Sequence, residues 1–177
     1  MKLCYNIGSG QRKFTTSGDH QWINVDINPA WTPDIVSAGE NLAQHGVGDC
    51  TADIVVLHHV LEHYGCGEAS ALIAECKRIL KPSGKLLIFV PDMNMLAKMW
   101  LDGRIDTQIY MTNVYGAYMN HEADRHKWGF DEGSLRSFIR TVDTKSTIFR
   151  YVPYPTPGAD IAWDVWIIGI EVHFSNA

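Results

Sequence analysis

Cysteine pairs, basic runs and long apolar stretches are all missing from this chain, and each absence removes a class of protein. The four cysteines, Cys4, Cys50, Cys66 and Cys76, form no C-x-x-C pair. Three of them lie in or beside apolar segments, where cysteine packs as a small hydrophobe, so they read as reduced thiols. No apolar run reaches the ~18 residues of a membrane span. The first strand begins at once and leaves no room for a signal peptide, so a cytoplasmic location is expected. The net charge of −5 comes without a basic run, so neither duplex nucleic acid nor an anionic membrane is an expected partner. With no internal repeat and no linker, residues 1–177 read as one domain, long enough to bury about 70% of the surface its unfolded chain exposes.

What is present begins at Lys2. Leu3 to Ile7 is a short apolar strand, Gly8-Ser9-Gly10 is a glycine loop, and Gln21 to Ile27 is a second strand carrying Asp26. A glycine loop at the end of a buried strand lets backbone N–H groups approach a ligand, since no Cβ intervenes. An acid ending the next strand can take two hydroxyls of a ribose. The third glycine of the dinucleotide fingerprint is absent, its position being Lys13, which damages the Rossmann dehydrogenase form.

Further along, Gln11 to Gly18 is polar and short for a crossover helix, Pro33-Asp34-Ile35-Val36 fits a third, short strand, and Gly39 to Ala52 fits a surface loop with at most one helical turn. Asp53 to His58 is a continuous apolar run, the pattern of a strand buried on both faces of a parallel sheet. Ala69 to Leu80 has helical spacing, Lys81 to Gly84 a turn, and Lys85 to Val90 a strand stopped by Pro91. Helices are expected at Asn94 to Leu101 and from Asp131 to about Thr141, with a loop or lid at His121 to Phe130. Thr144 to Val152 and Ala162 to Phe174 read as strands with no helix between them, hence an antiparallel pair.

His59-x-x-Glu62-His63 matches the inverted zinc-peptidase pattern. That chemistry needs the motif on a helix, and here it starts at the end of a buried strand, so no metal is expected. Read together, Tyr5 to Gly10, Ile23 to Asp26, Asp53 to His63 and Leu80 to Leu86 resemble, in order and spacing, the class I S-adenosylmethionine-dependent methyltransferases, in particular the compact type 11 branch. The resemblance covers residues 2–92, and a weaker similarity continues at His126 to Asp131.

The resemblance implies an α/β, Rossmann-like mixed sheet of seven strands, mostly parallel with an antiparallel last strand and helices on both faces. Residues 1–92 would form the cofactor-binding half and 93–177 the acceptor side. S-adenosylmethionine is the implied cofactor: Gly8, Ser9 and Gly10 under its methionine part, Asp26 on the ribose hydroxyls, Ile27 against adenine, Gly39, Glu40 and Asn41 beside that ring, and His58 near the methionine end. Asn6 belongs to the same set but stands where the family usually has an acid, as Ala38 stands where it often has an aspartate.

Methyl transfer asks mainly for alignment of a nucleophile and exclusion of water. A base is needed when the acceptor is a hydroxyl, and the candidates are His59, then His126, then His121. The expected substrate is a small molecule or sugar. Trp128, Phe130, Tyr110, Tyr115 and Tyr118 are candidates for an aromatic wall over it. The competing readings are a nicotinamide-dependent oxidoreductase using Gly8, Gly10 and Asp26, and a non-catalytic module that keeps the fold as a binding or assembly surface.

Overall fold

The computed structural model describes residues 1–117, 122–150 and 167–175. Seven strands form one sheet: β1 (Lys2–Ile7), β2 (His20–Asp26), β3 (Ile35–Val36), β4 (Ala52–His58), β5 (Leu80–Pro91), β6 (Thr147–Arg150) and β7 (Ile167–His173). Their spatial order is β3-β2-β1-β4-β5-β7-β6. The pairs from β3 to β5 are parallel, and β7 runs antiparallel to both β5 and β6. The late pair is therefore antiparallel as expected. The parts of the two predicted late strands at 151–152 and 162–166 lie outside the described residues.

Alternation along the strands divides the core. Ile7, Val55, Leu57, Leu86, Ile88, Ile168 and Ile170 face one side. They meet α1 (Cys66–Ile79), which buries Leu72, Ile73, Cys76 and Ile79, and α4 (Glu132–Val142), which buries Leu135 and Ile139. The α4 start was legible in its capping residues: the Asp131 carboxylate accepts from Ser134 N, and Ser134 Oγ accepts from Asp131 N. On the other side Val56, Leu87 and Phe89 pack with Phe14, Trp22, Ile54 and Ile167. Ile167 also touches the small cluster of Leu96, Met99 and Ile105, formed by α2 (Met93–Leu101), the turn after it and α3 (Thr107–Tyr115). Helices thus stand against both faces, unequally.

The connection from β1 to β2 contains no helix. Two buried asparagines hold it instead. Asn6 Nδ2 donates to Arg12 O at 2.9 Å and to Asn24 Oδ1 at 3.0 Å. Asn24 exchanges bonds with the Phe14 backbone, accepting from its N–H and donating to its carbonyl. That lays Phe14 edge-on against Trp22, with ring centroids 4.7 Å apart. Amide side chains satisfy these loop groups where a helix would have satisfied its own.

Two expectations are revised. The segment after β3, Gly39–His45, is two short 3-10 turns joined across a kink at Asn41, where at most one turn was foreseen. It forms because Leu42 is fully buried against the core under α1, and Glu75 Oε1 accepts from Ala43 N at 2.8 Å. Second, β5 starts at Leu80, before the predicted turn: Ala52 pairs with Leu80 and Ile54 with Lys85, so Lys81 to Gly84 bulges within the strand. Among the described residues no helix is long and apolar enough to cross a membrane.

Candidate active site

The chain leaves β1 toward β2 on one side and returns at β4 on the other, so the sheet order reverses at β1. Open α/β sheets bind ligands at such a point, beyond the carboxyl ends of the strands. A cleft of about 360 Å³ lies there, lined among others by Gly8, Gly10, Asp26, Ile27, Gly39 and Glu40. That volume falls in the range of small-molecule sites.

Gly8 has φ +68°, and a Cβ on it would collide with Val60 Cγ2; only glycine allows this turn so close to the chain leaving β4. Ser9 N donates to Val25 O at 3.0 Å. Gly10 N donates to Asp26 Oδ2 at 2.7 Å, and Asn28 N to Asp26 Oδ1 at 2.8 Å. Asp26 therefore shapes the loop as well as facing the cleft, and each of its oxygens keeps a lone pair for a further donor. Gly39 closes the opposite wall: a Cβ there would stand 2.6 Å from both Ile7 Cγ2 and Leu72 Cδ1.

Two buried oxygens beside the cleft, Ser9 Oγ and Glu40 Oε2, have no hydrogen-bond partner among the described residues. Ile27 is 53% exposed at the rim. Unmet polar groups around an exposed apolar side chain suit a ligand that is part polar, part flat and apolar, and a nucleoside has that chemistry.

The other end of the cleft is built by the chain after β4. His59 has φ +55°, a left-handed conformation uncommon outside glycine and concentrated at functional sites. It turns the backbone out of the strand and puts the imidazole on the cleft wall. His59 Nδ1 donates to Glu62 Oε1 at 3.1 Å, which leaves Nε2 as the free ring nitrogen. Glu62 is 1% exposed. Burial pushes its pKa up, but the hydrogen bond from His59 and the nearby His63 more than offset this, so the carboxylate is held below its usual range.

Of the residues expected to hold the cofactor, Gly8, Gly10, Asp26, Ile27, Gly39 and Glu40 come together, and His59 joins them. Four others do not line the cleft. Asn6 is buried and bonded to Arg12 and Asn24 on the second face. Ser9 lies beneath the loop, 4% exposed. Asn41 sits at the kink of the 3-10 helix. His58 packs beside His59 and Phe89, because alternation along β4 sends it to the face opposite Leu57. Burial first, then His59 and Arg12, hold its pKa at about 4. His126 lies next to His63, ring centroids 4.7 Å apart, and burial lowers its pKa against the pull of Glu62. His121 lies outside the described residues, as does Tyr118. Among the described residues the aromatic wall is not assembled: Phe130 is in the main core, Tyr110 stacks on Trp100, and neither Trp128 nor Tyr115 lines the cleft.

Sequence reasoning missed Trp31, Tyr64 and Lys127 on the cleft wall. For Trp31 and Tyr64 the signal was position, a few residues beyond the carboxyl end of β2 or β4. Lys127 had no such signal; its N–H and that of Trp128 both donate to Glu62 O, a tertiary tie. Tyr64 is pushed well above the usual phenol range by burial and by Glu40 beside it, so it stays a neutral hydroxyl.

Residues 5–88 match the family model described as "Methyltransferase domain". No curated protein matches the sequence significantly. Among solved structures, the chain is similar to the 1,6-didemethyltoxoflavin-N1-methyltransferase of Burkholderia thailandensis, with TM-score 0.62, 15% identity, and coverage of 99% of this chain and 72% of that one. An S-adenosylmethionine-dependent methyltransferase from Archaeoglobus fulgidus gives 0.63, 14%, 97% and 85%. The arsenic(III) methyltransferase of Chlamydomonas reinhardtii gives 0.58, 11%, 99% and 64%. The match over residues 5–88 and the likeness to these structures agree with the strand order, the glycine loop and the cleft, and the chain as a whole has the fold of the class I S-adenosylmethionine-dependent methyltransferases.

Proposed function

We propose that the protein is an S-adenosylmethionine-dependent methyltransferase that acts on a hydroxyl of a small molecule or sugar bound in the cleft beyond β4, with Gly8, Gly10, Asp26, Ile27, Gly39 and Glu40 holding S-adenosylmethionine. The observation that carries the reading is the His59–Glu62 pair at the cleft wall. A buried carboxylate fixes Nδ1 of His59 as the donor, so Nε2 carries the lone pair a general base requires.

The bound cofactor supplies a methyl group activated by its sulfonium. The protein's part is then to orient and to dry the site. Asp26 accepts from the ribose hydroxyls with the lone pairs left by Gly10 and Asn28, and the glycine loop carries the methionine part without a side chain in the way. Ile27 covers the adenine, and the unpartnered Glu40 Oε2 accepts from a donor on the ligand. His59 Nε2 would take the proton from the acceptor hydroxyl, whose oxygen would bond to the methyl carbon as the carbon–sulfur bond breaks and S-adenosylhomocysteine leaves as the neutral thioether, and the Glu62 carboxylate would stabilise the imidazolium that results. The small cleft supports a small acceptor.

A nicotinamide cofactor fits less well. Its pyrophosphate is normally held at the start of the helix after the glycine loop, and residues 8–19 contain none. Lys13, in place of the third glycine, bonds to Thr32 through its Nζ.

Calorimetric titration with S-adenosylhomocysteine and with NAD tests the cofactor. Micromolar binding of the first without the second is expected. Binding of neither would favour the non-catalytic module. A panel of sugar and small hydroxylated acceptors with S-adenosylmethionine tests the second half, and transfer confined to nitrogen acceptors would overturn the hydroxyl assignment. His59→Ala should lower kcat at least ~100-fold, the usual scale of general-base loss, with S-adenosylhomocysteine affinity retained.

A further inference from the structure

We propose that Glu62, His63 and His126 form a site for a divalent transition-metal ion at the acceptor end of the cleft. One donor atom from each of the three side chains can be chosen so that all lie within 4.8 Å of one another. The pattern argued against a metal because it offered His59 and His63 as ligands on a helix. The structure rearranges the roles: His59 orients the carboxylate, and the third ligand comes from His126, more than sixty residues away in sequence.

Three independent features aim these groups. His63 Nδ1 faces the Arg125 carbonyl at 3.3 Å and His126 Nδ1 faces the Asn113 carbonyl at 2.8 Å. A carbonyl only accepts, so both Nδ1 atoms carry the hydrogen and both neutral rings present a lone pair at Nε2, the arrangement that orients metal-binding histidines. His59 holds Glu62 Oε1, while Oε2 of the same buried carboxylate has no partner among the described residues. Finally, Lys127 N and Trp128 N both donate to Glu62 O, which fastens the chain carrying His126 to the chain carrying the other two ligands.

An unpaired carboxylate oxygen buried to this degree is costly unless something compensates its charge. Two imidazole nitrogens and one carboxylate oxygen suit zinc and its first-row neighbours rather than calcium or magnesium, which prefer oxygen. Tetrahedral ligands at the usual ~2.0–2.1 Å stand about 3.4 Å apart, so the widest pair must close by somewhat more than an ångström. The half-exposed His63 ring can swing that far. Three protein ligands leave at least one coordination position open, and His63 lines the cleft. If the reading of the cleft as an acceptor site holds, an acceptor oxygen can take that position.

Chelator-stripped protein titrated with Co²⁺ reads the site directly through visible d–d absorption. One equivalent per chain is expected, displaceable by Zn²⁺, with affinity at least tenfold weaker in His126→Gln and in His63→Gln, both checked for folding by circular dichroism. No stoichiometric binding would overturn the site. So would affinity unchanged in both variants, or a thiolate-to-cobalt band assigning the ion to exposed Cys50 or Cys66. S-adenosylhomocysteine affinity measured on the same sample separates the two readings. Cofactor binding without metal removes only the metal site, and metal binding without cofactor removes only the methyltransferase cleft.

Discussion

Asp26 shows how one side chain can serve the fold and the ligand together. Its two oxygens accept the Gly10 and Asn28 N–H groups, so Asp26→Ala removes the ribose acceptor and also releases the glycine loop. S-adenosylhomocysteine affinity should fall by about 2 kcal/mol or more, the scale of a hydrogen bond to a charged group, and the melting temperature should fall with it. Calorimetry showing unchanged affinity would remove Asp26 from the ribose. His58 makes a prediction about acid. Its folded pKa of about 4 lies below the ordinary histidine value of about 6.5, so between these values the unfolded chain binds the extra proton and stability is lost as pH falls. Urea unfolding between about pH 7 and about pH 5 should show the parent losing on the order of 2 kcal/mol more than His58→Gln. Equal losses would mean that His58 is not held neutral.

At the scale of elements, the ends of helices and the connections between strands decide more than the elements themselves. Asp143, 6% exposed at the end of α4, accepts from Lys145 N, Ser175 N and Ser175 Oγ, and pairs with Lys77 of α1 at 3.0 Å. Burial opposes its ionisation, but these bonds prevail and hold its pKa at about 2. One carboxylate thus joins α1, α4 and the chain after β7. Asp143→Ala should destabilise the protein by about 3 kcal/mol, the scale of breaking a buried pair and orphaning its donors, read as a lower urea midpoint. A change under about 0.5 kcal/mol, typical of a neutral surface site, would contradict this. Strands β4 and β5 and helices α1 and α4 were legible because their apolar spacing and capping residues are local. The 3-10 helix Gly39–His45 was not, since Leu42 is its only large buried side chain.

For the whole molecule, the main hydrophobic core and the small cluster under α3 predict where it opens first. The main core joins the sheet to α1 and α4, whereas α3 buries none of its residues and leans on the small cluster of Leu96, Met99 and Ile105. Hydrogen exchange should therefore release α3 amides through local opening, well ahead of those in α1, β4 and β5, which wait for global unfolding. Equal protection in α1 and α3 would mean that the two clusters unfold as one unit. Ligand at about 100 times its Kd should stabilise the folded state by about 2.7 kcal/mol.

The strands, the glycine loop, Asp26 and the family resemblance could all be read from consecutive residues, because periodicity, turn chemistry and short motifs are local properties of a chain. The roles of particular side chains could not. Asn6 and His58 looked like cofactor ligands by position, yet strand alternation and the Asn6–Asn24 bond turn them to the opposite face. Glu62 and His126 come within reach of each other only because backbone bonds from residues 127 and 128 fold a distant segment onto the end of β4. Sequence spacing carries no record of such a contact, since its distance is fixed by tertiary packing and not by the number of residues between.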